Sequence, residues 1–111
     1  MILLKRVYEK PSKEDGTRIL VDRLWPRGIS KEKARIDSWV REIGPSDDLR
    51  KWFNHEDDKW EEFKKRYFRE LASKNDLVEG IKKNKGTVTL VFSARNVEHN
   101  NAVALREYLE K

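Results

Sequence analysis

The chain has 111 residues, of which 41% are charged and 37% hydrophobic, and its formal net charge is +5. This length has room for one domain with one hydrophobic core. The absence of cysteine excludes a disulfide scaffold, a thiolate nucleophile and a cysteine-ligated metal site. No apolar run is long enough for a signal peptide or a membrane span, so we expect a cytoplasmic protein without membrane contacts.

The charge pattern favours a solvated surface of mixed sign. The 25 basic residues are interspersed with 20 acidic residues, whereas nucleic-acid-binding proteins usually gather their basic side chains on one face. Abundant lysine and glutamate, with no glutamine, favour a thermophilic source.

The first 40 residues predict strands separated by short loops. Residues 1–8 begin with an apolar run and predict a strand, followed by a loop or hairpin. Residues 17–21 are aliphatic and β-branched and predict a second strand, which a loop containing proline and glycine ends. Ser30 is a suitable N-cap for a short helix over residues 31–34. Residues 36–40 predict a third strand or an extended connector.

The middle of the chain predicts helices. Ser46 is a good N-cap, and two aspartates follow it where the helix dipole favours negative charge. A second helix is predicted from about Asp57, and a third is capped by Asn75 or Asp76 and ends at Gly86. The second helix carries a stripe at helical spacing, which we interpret as core: Trp60, Phe63, Tyr67 and Leu71.

The end of the chain decides the predicted fold class. Residues 88–92 form a near-continuous apolar run, which is typical of a strand buried on both faces of a parallel sheet. Residues 98–109 predict a final helix. The alternation of strands and helices predicts a single small α/β domain over residues 1–111, a layered fold with a mainly parallel central sheet flanked by helices.

Unusual polar residues follow two of the predicted strands. The first cluster is Asp22, Arg23 and Arg27, and the second is Ser93, Arg95, Asn96, His99, Asn100 and Asn101. If the two strands are parallel neighbours, both clusters lie at the carboxyl edge of the sheet, where open α/β sheets bind their ligands. Free amides at the start of the last helix would also attract anions.

These residue types suit an anionic, phosphate-bearing ligand. Arginines offer bidentate donors to phosphate or carboxylate, and a serine adds a hydroxyl. The predicted ligand-binding residues are Arg23, Arg27, Ser93, Arg95, Asn96 and Asn100. If the protein is an enzyme, Asp22 or His99 would be the acid or base of a hydrolase or transferase, and the arginines would neutralise charge.

Structural alternatives stay open for the same residues. Asp22 would hold the loops together if it paired with Arg23, Arg27 or Arg95. His99, predicted in the first turn of the last helix, is either a general base or a surface residue bonded to an asparagine. Two asparagines at a helix start indicate a local contact to a ligand or a loop, since asparagine forms helices poorly.

Other site classes receive little support from the sequence. The acidic stretch at residues 55–58 is better explained by one helix that ends and another that begins than by a metal site. With two histidines and no cysteine we expect no metal, and the scattered glycines match no Walker or dinucleotide-binding pattern, so we expect no cofactor.

Three stretches carry a family resemblance that extends from end to end of the chain. They are Lys-Arg-Val-Tyr at residues 5–8, Arg-Ile-Leu-Val-Asp-Arg-Leu-Trp-Pro-Arg-Gly at residues 18–28, and Ser-Ala-Arg-Asn at residues 93–96 with His-Asn-Asn-Ala at residues 99–102. The chain resembles the YeaO-like family of small bacterial and archaeal proteins, known as domain of unknown function family 488.

The resemblance implies a compact α/β fold and a shared polar site at the second and third of these stretches, but no substrate. Distant relatives have cysteines near the end of the last strand. Because this chain has none, a thiol mechanism does not carry over, and Ser93 offers the nearest hydroxyl.

Three functions are therefore open. The first is a protein with a pocket for a small anionic ligand, with or without catalysis. The second is a nucleic-acid-binding accessory protein with a basic surface, formed by Lys31, Lys33, Arg35 and residues 82–85. The third is a regulatory or scaffold protein whose polar loops only organise the fold. The sequence does not determine the oligomeric state.

Overall fold

The computed structural model describes residues 1–111 and shows a four-stranded, entirely parallel sheet with the strand order β1-β4-β2-β3. The strands are β1 (Ile2–Arg6), β2 (Thr17–Leu20), β3 (Ser38–Trp39) and β4 (Val88–Phe92). The helices are α1 (Lys31–Ala34), α2 (Asp47–Phe53), α3 (Trp60–Ala72), α4 (Asn75–Lys82) and α5 (Asn101–Leu109). The predicted α/β class and the mainly parallel sheet are confirmed.

Strand β4 is the centre of the sheet and lies between β1 and β2. Leu90 is opposite Leu4 of β1 and Ile19 of β2. All five residues of β4 are buried, as the apolar run predicts for a strand covered on both faces.

The two faces of the sheet are covered by different layers. One face packs against α2 to α5 in a core that contains Ile19, Leu90 and Phe92. The other face packs against the two connections that follow β1 and β2, in a smaller cluster that includes Leu20 and Val91. We call these coverings the helical layer and the loop layer.

The stripe on α3 lies in the helical layer, as the sequence predicts. Its members Trp60, Phe63, Tyr67 and Leu71 are all buried. Phe63 stacks on Phe53 of α2 with ring centroids 4.3 Å apart, and the buried Tyr67 hydroxyl donates to the Ile43 carbonyl at 2.7 Å. These aromatic rings supply bulk in a core whose other members are mostly aliphatic.

The connection from β1 to β2 is fixed by a buried carboxylate in the loop layer. Asp15 is 4% exposed, and its oxygens lie 2.9 Å from the Lys5 ammonium and 2.6 Å from the Arg18 guanidinium. Gly16 follows with a φ of 64°, where an added Cβ would lie 2.1 Å from the Thr87 carbonyl oxygen. Glycine is required at this position because of both the positive φ and the close backbone.

Three details differ from the sequence-based expectations. β1 and β2 are parallel and separated by β4, so they form no hairpin. Lys74, which makes no side-chain cap, precedes α4 in place of Asn75 or Asp76. The last helix begins at Asn101 because the side chain of Asn100 accepts from the Val103 N–H and acts as its N-cap. His99 therefore lies before the helix and not in its first turn.

The chain leaves β2 and β4 towards opposite layers. After β2 it enters the loop layer, where Trp25 and Ile29 pack. After β4 it enters the helical layer through α5. Neighbouring parallel strands whose connections diverge in this way leave a crevice at their carboxyl ends. None of the helices has the length and apolar content needed to cross a membrane.

Candidate functional site

A pocket of about 680 Å³ occupies the carboxyl edge of the sheet, at the crevice between β2 and β4. Both predicted polar clusters contribute to it. Its polar and charged lining includes Asp22, Arg23, Arg27, Arg50, His55, Ser93, Arg95, Asn96, Asn100 and Asn101. The volume lies within the range of roughly 300–1,000 Å³ that is typical of small-molecule sites.

Asp22 holds the two sides of the crevice together. One carboxylate oxygen accepts from the Ser93 N–H at 2.9 Å and from the Ser93 hydroxyl at 2.8 Å. The other accepts from the Asn101 amide at 3.0 Å. Burial raises the pKa of Asp22, while the hydrogen bonds from Ser93 and Asn101 act in the opposite direction.

Asp22 forms no ion pair with Arg23, Arg27 or Arg95, so the pairing considered in the sequence analysis is wrong. The Arg23 guanidinium instead donates to the carbonyls of Pro45 and Gly44, both at 2.9 Å. Arg23, in the loop that follows β2, therefore braces the loop before α2 with two of its five guanidinium N–H groups.

Arg27 and Arg95 differ from Arg23, because neither guanidinium has a hydrogen-bond or ion-pair partner in the protein. Both side chains line the pocket, and both residues are exposed. The backbone of Arg27 is held by the Tyr8 hydroxyl, which donates to its carbonyl at 2.7 Å. The pocket thus receives one unpaired guanidinium from each of its two loops.

The charge of the lining is strongly positive. Four arginines line the pocket, and Asp22 is the only carboxylate among the lining residues. A concave site lined mainly by one sign of charge concentrates ligands of the opposite sign. The site is therefore suited to an anion.

Tyr8, Arg50 and His55 also line the pocket, where no expectation from the sequence placed them. Tyr8 follows β1, whose carboxyl end lies at the same sheet edge. The predicted strand over residues 1–8 was therefore sufficient to place Tyr8 near the site. His55 follows α2 with a φ of 57°, and no sequence pattern indicates where that turn places its ring. Buried Phe53 and Phe63 add an apolar part to the lining.

His99 is not among the residues that line the pocket. Its ring stacks on Trp60 with centroids 4.7 Å apart, and its Nδ1 lies 2.9 Å from Asp57. Asn96 donates to the same Asp57 oxygen at 2.9 Å, and Asn100 donates to the Asn96 carbonyl at 2.8 Å. The structure thus separates His99 from Asp22 and uses both asparagines to shape the loop that carries Arg95.

The side chains present do not form a metal centre, since no group of three or more histidine, aspartate or glutamate residues is placed to hold an ion.

The lower part of the pocket consists of Asp22, Ser93 and Asn101, which we call the floor. The unpaired guanidinium groups of Arg27 and Arg95 form what we call the rim.

The fold and the site together define a small parallel α/β protein with a positively charged pocket at the carboxyl ends of its strands. The chain belongs to the family of domain of unknown function 488, because the family model described as "Inactive DUF488-N3 subclade" matches residues 1–111. The resemblance to the YeaO-like family is thereby confirmed.

Relatives of nearly full length support the same assignment. The uncharacterized protein YeaO of Escherichia coli is 43% identical over an alignment of 112 positions, which covers 97% of this chain and 96% of YeaO. The uncharacterized protein Rv3073c of Mycobacterium tuberculosis is 38% identical over 109 residues, which cover 97% of this chain and 92% of that protein. No solved structure matches the chain.

Proposed function

We propose that the protein binds a small phosphate-bearing anion in this pocket and does not transform it. One observation carries the proposal: the loops that follow β2 and β4 each present an unpaired guanidinium, from Arg27 and Arg95, to one pocket. Guanidinium groups form bidentate, charge-assisted hydrogen bonds with phosphate and carboxylate.

The size and lining of the pocket favour a ligand larger than a free phosphate ion. A pocket of about 680 Å³ has room for a nucleotide or a sugar phosphate. Phe53 and Phe63 offer apolar contact to a ring or chain that carries the anionic group. Such metabolites belong to the cytoplasm, where we propose that the protein acts.

Binding without catalysis accounts for the state of the two predicted acid–base residues. His99 is bonded to Asp57 outside the pocket lining, and Asp22 is held by three hydrogen bonds that use three of its about four lone-pair sites. A general base needs to reach the proton that it removes. The word "Inactive" in the description of the matching family model agrees with a pocket that binds only.

Isothermal titration calorimetry with nucleoside monophosphates, sugar phosphates and inorganic phosphate tests the proposal. We expect at least one phosphate ester to bind the wild type. Arg95→Ala and Arg27→Ala should each weaken its binding on the order of 10- to 100-fold, since a hydrogen bond to a charged group contributes about 1.5–3 kcal/mol.

Arg69→Ala is the matched control, because Arg69 is an exposed arginine on α3 without an ion-pair partner, away from the pocket lining. It should leave the affinity unchanged. Equal loss of affinity in all three variants would indicate nonspecific charge attraction and contradict the pocket. Binding of oligonucleotides alone, with a steep salt dependence, would favour a nucleic-acid-binding protein instead.

A further inference from the structure

We infer that the pocket selects phosphate esters whose other end carries hydrogen-bond donors, an amino group above all, because its floor presents only acceptors while its unpaired rim groups are donors. This inference rests on the proposed binding function and specifies its ligand class. It follows from which donors and acceptors of Asp22, Ser93 and Asn101 are already used within the protein.

Ser93 has already used its hydroxyl hydrogen. The hydroxyl donates to the Asp22 carboxylate at 2.8 Å, and a serine hydroxyl has a single hydrogen to donate. The Ser93 oxygen therefore offers only lone pairs to a ligand. While it donates to Asp22, Ser93 is not available as the hydroxyl donor to a bound anion that its sequence position suggested.

Asn101 likewise has no hydrogen left. Its amide nitrogen donates to the Val21 carbonyl at 3.1 Å and to Asp22 at 3.0 Å. Because both of these neighbours are acceptors, the amide nitrogen and not its oxygen must face them. The Asn101 side-chain oxygen accepts from no protein donor, and it remains available to a donor on the ligand.

Asp22 retains one unused acceptor position. A carboxylate has about four lone-pair sites, and the protein fills three of them. The site left over belongs to the oxygen that accepts only from Asn101. Asp22 and the oxygens of Ser93 and Asn101 together form a negatively charged floor without a side-chain donor.

The floor side chains have no hydrogen left for a phosphate, so we place the anionic group at the rim, where Arg27 and Arg95 are unpaired. A ligand that occupies both parts carries an anion at one end and N–H or O–H donors at the other. A primary ammonium satisfies the floor best, since it has three donors and a charge that complements Asp22.

A series of ω-aminoalkyl phosphates with two to six carbons tests this inference by calorimetry. Two analogues of each length are compared: the n-alkyl phosphate, which lacks the nitrogen, and the trimethylammonium derivative, which keeps the positive charge but has no N–H. We expect the amino compound to bind on the order of tenfold more tightly than both analogues at one preferred length. Asp22→Asn should remove this preference, and Arg95→Ala should weaken all three compounds.

The outcomes separate the inference from the binding function. If the three compounds bind equally well and all lose affinity in Arg95→Ala, the donor-selective floor is wrong while the anion pocket stands. If the trimethylammonium derivative equals the amine, charge and not hydrogen bonding is recognised, which also overturns the inference. If no phosphate in the series binds, the inference fails, and the titrations with nucleoside monophosphates and sugar phosphates decide on the binding function. If Arg95→Ala changes nothing, both proposals fail. If Asp22→Asn does not fold, the comparison of the three compounds on the wild type decides.

Discussion

Asp22 and Ser93 join the carboxyl ends of β2 and β4 through one carboxylate oxygen, which accepts both the backbone N–H and the hydroxyl of Ser93. The register of β2 on β4 brings the residues together, since Leu20 lies opposite Val91 and each of the pair follows two residues later. The link closes the bottom of the crevice between the two strands.

The first prediction concerns the hydrogen bonds of Asp22. In Asp22→Asn the new amide must turn its NH₂ group towards Ser93 or Asn101, both of which are donors, so at least one hydrogen bond is lost. We expect the free energy of unfolding to fall by about 1–3 kcal/mol in urea denaturation. Asp58→Asn, at an exposed aspartate without a side-chain hydrogen bond, is the control and should change stability by less than about 0.5 kcal/mol. Equal stability of the two variants would contradict the structural role.

The second prediction concerns acid stability. Burial alone would raise the pKa of Asp15, but hydrogen bonds from Ser12, Lys5 and Arg18 lower it from 3.8 to about 2. Because the folded-state pKa lies below the unfolded one, the stabilisation is complete above pH 3.8 and is lost as the pH falls to about 2. The loss from this group should be about 2 kcal/mol.

Two measurements check the acid stability. An NMR titration of the Asp15 carboxyl carbon should give a pKa near 2, and urea denaturation between pH 2 and 6 should show the loss of stability. A pKa near that of a free aspartate would show that the ion pairs with Lys5 and Arg18 contribute little.

A pair of glycines gives the third prediction, since the same substitution should have opposite effects at the two positions. Gly16→Ala would place a Cβ 2.1 Å from the Thr87 carbonyl oxygen at a φ of 64°, and we expect a loss of at least about 2 kcal/mol. Gly80 lies in α4, and an added Cβ there meets nothing within 4 Å. Gly80→Ala should therefore stabilise the protein by about 0.5–1 kcal/mol. Thermal denaturation of both variants distinguishes these signs, and a stable Gly16→Ala would refute the backbone contact.

The fourth prediction concerns the loop that carries Arg95. Asp57 fastens this loop by accepting from Asn96 and pairing with His99. We expect Asp57→Ala to increase the backbone mobility of residues 94–99, seen as lower NMR order parameters, at a cost of less than about 1 kcal/mol because Asp57 is exposed. Asp58→Ala, one residue away, should leave the loop unchanged. Unaltered order parameters in Asp57→Ala would show that the stacking of His99 on Trp60 suffices to hold the loop.

Local patterns in the sequence predict most of the fold. Three kinds of pattern act over a few residues and can be recognised without the tertiary structure. They are the apolar run of β4, the serine caps of α1 and α2, and the stripe on α3. The start of α5 cannot, because two adjacent asparagines are both suitable caps, and tertiary contacts of Asn101 with Val21 and Asp22 leave Asn100 as the cap.

The position of the site is predictable from the sequence, but the hydrogen-bond and ion-pair partners of its residues are not. Strand ends show that the two clusters share an edge, as Asp22 and Ser93 do. The partner of each charge depends on the strand register and on the path of the loops. Arg23 shows this well, since its guanidinium is bound by carbonyls that belong to a turn more than 20 residues away.

Because the chain leaves β2 and β4 towards opposite layers, the pocket lies between the loop layer and the helical layer. Arg27 lies between Trp25 and Ile29, which pack in the loop layer, whereas Arg95 follows Ala94, which packs in the helical layer. A ligand bound by both guanidinium groups would therefore connect the two layers at the sheet edge. A displacement of one layer relative to the other would change the distance between the two guanidinium groups. A bound ligand would therefore oppose that displacement.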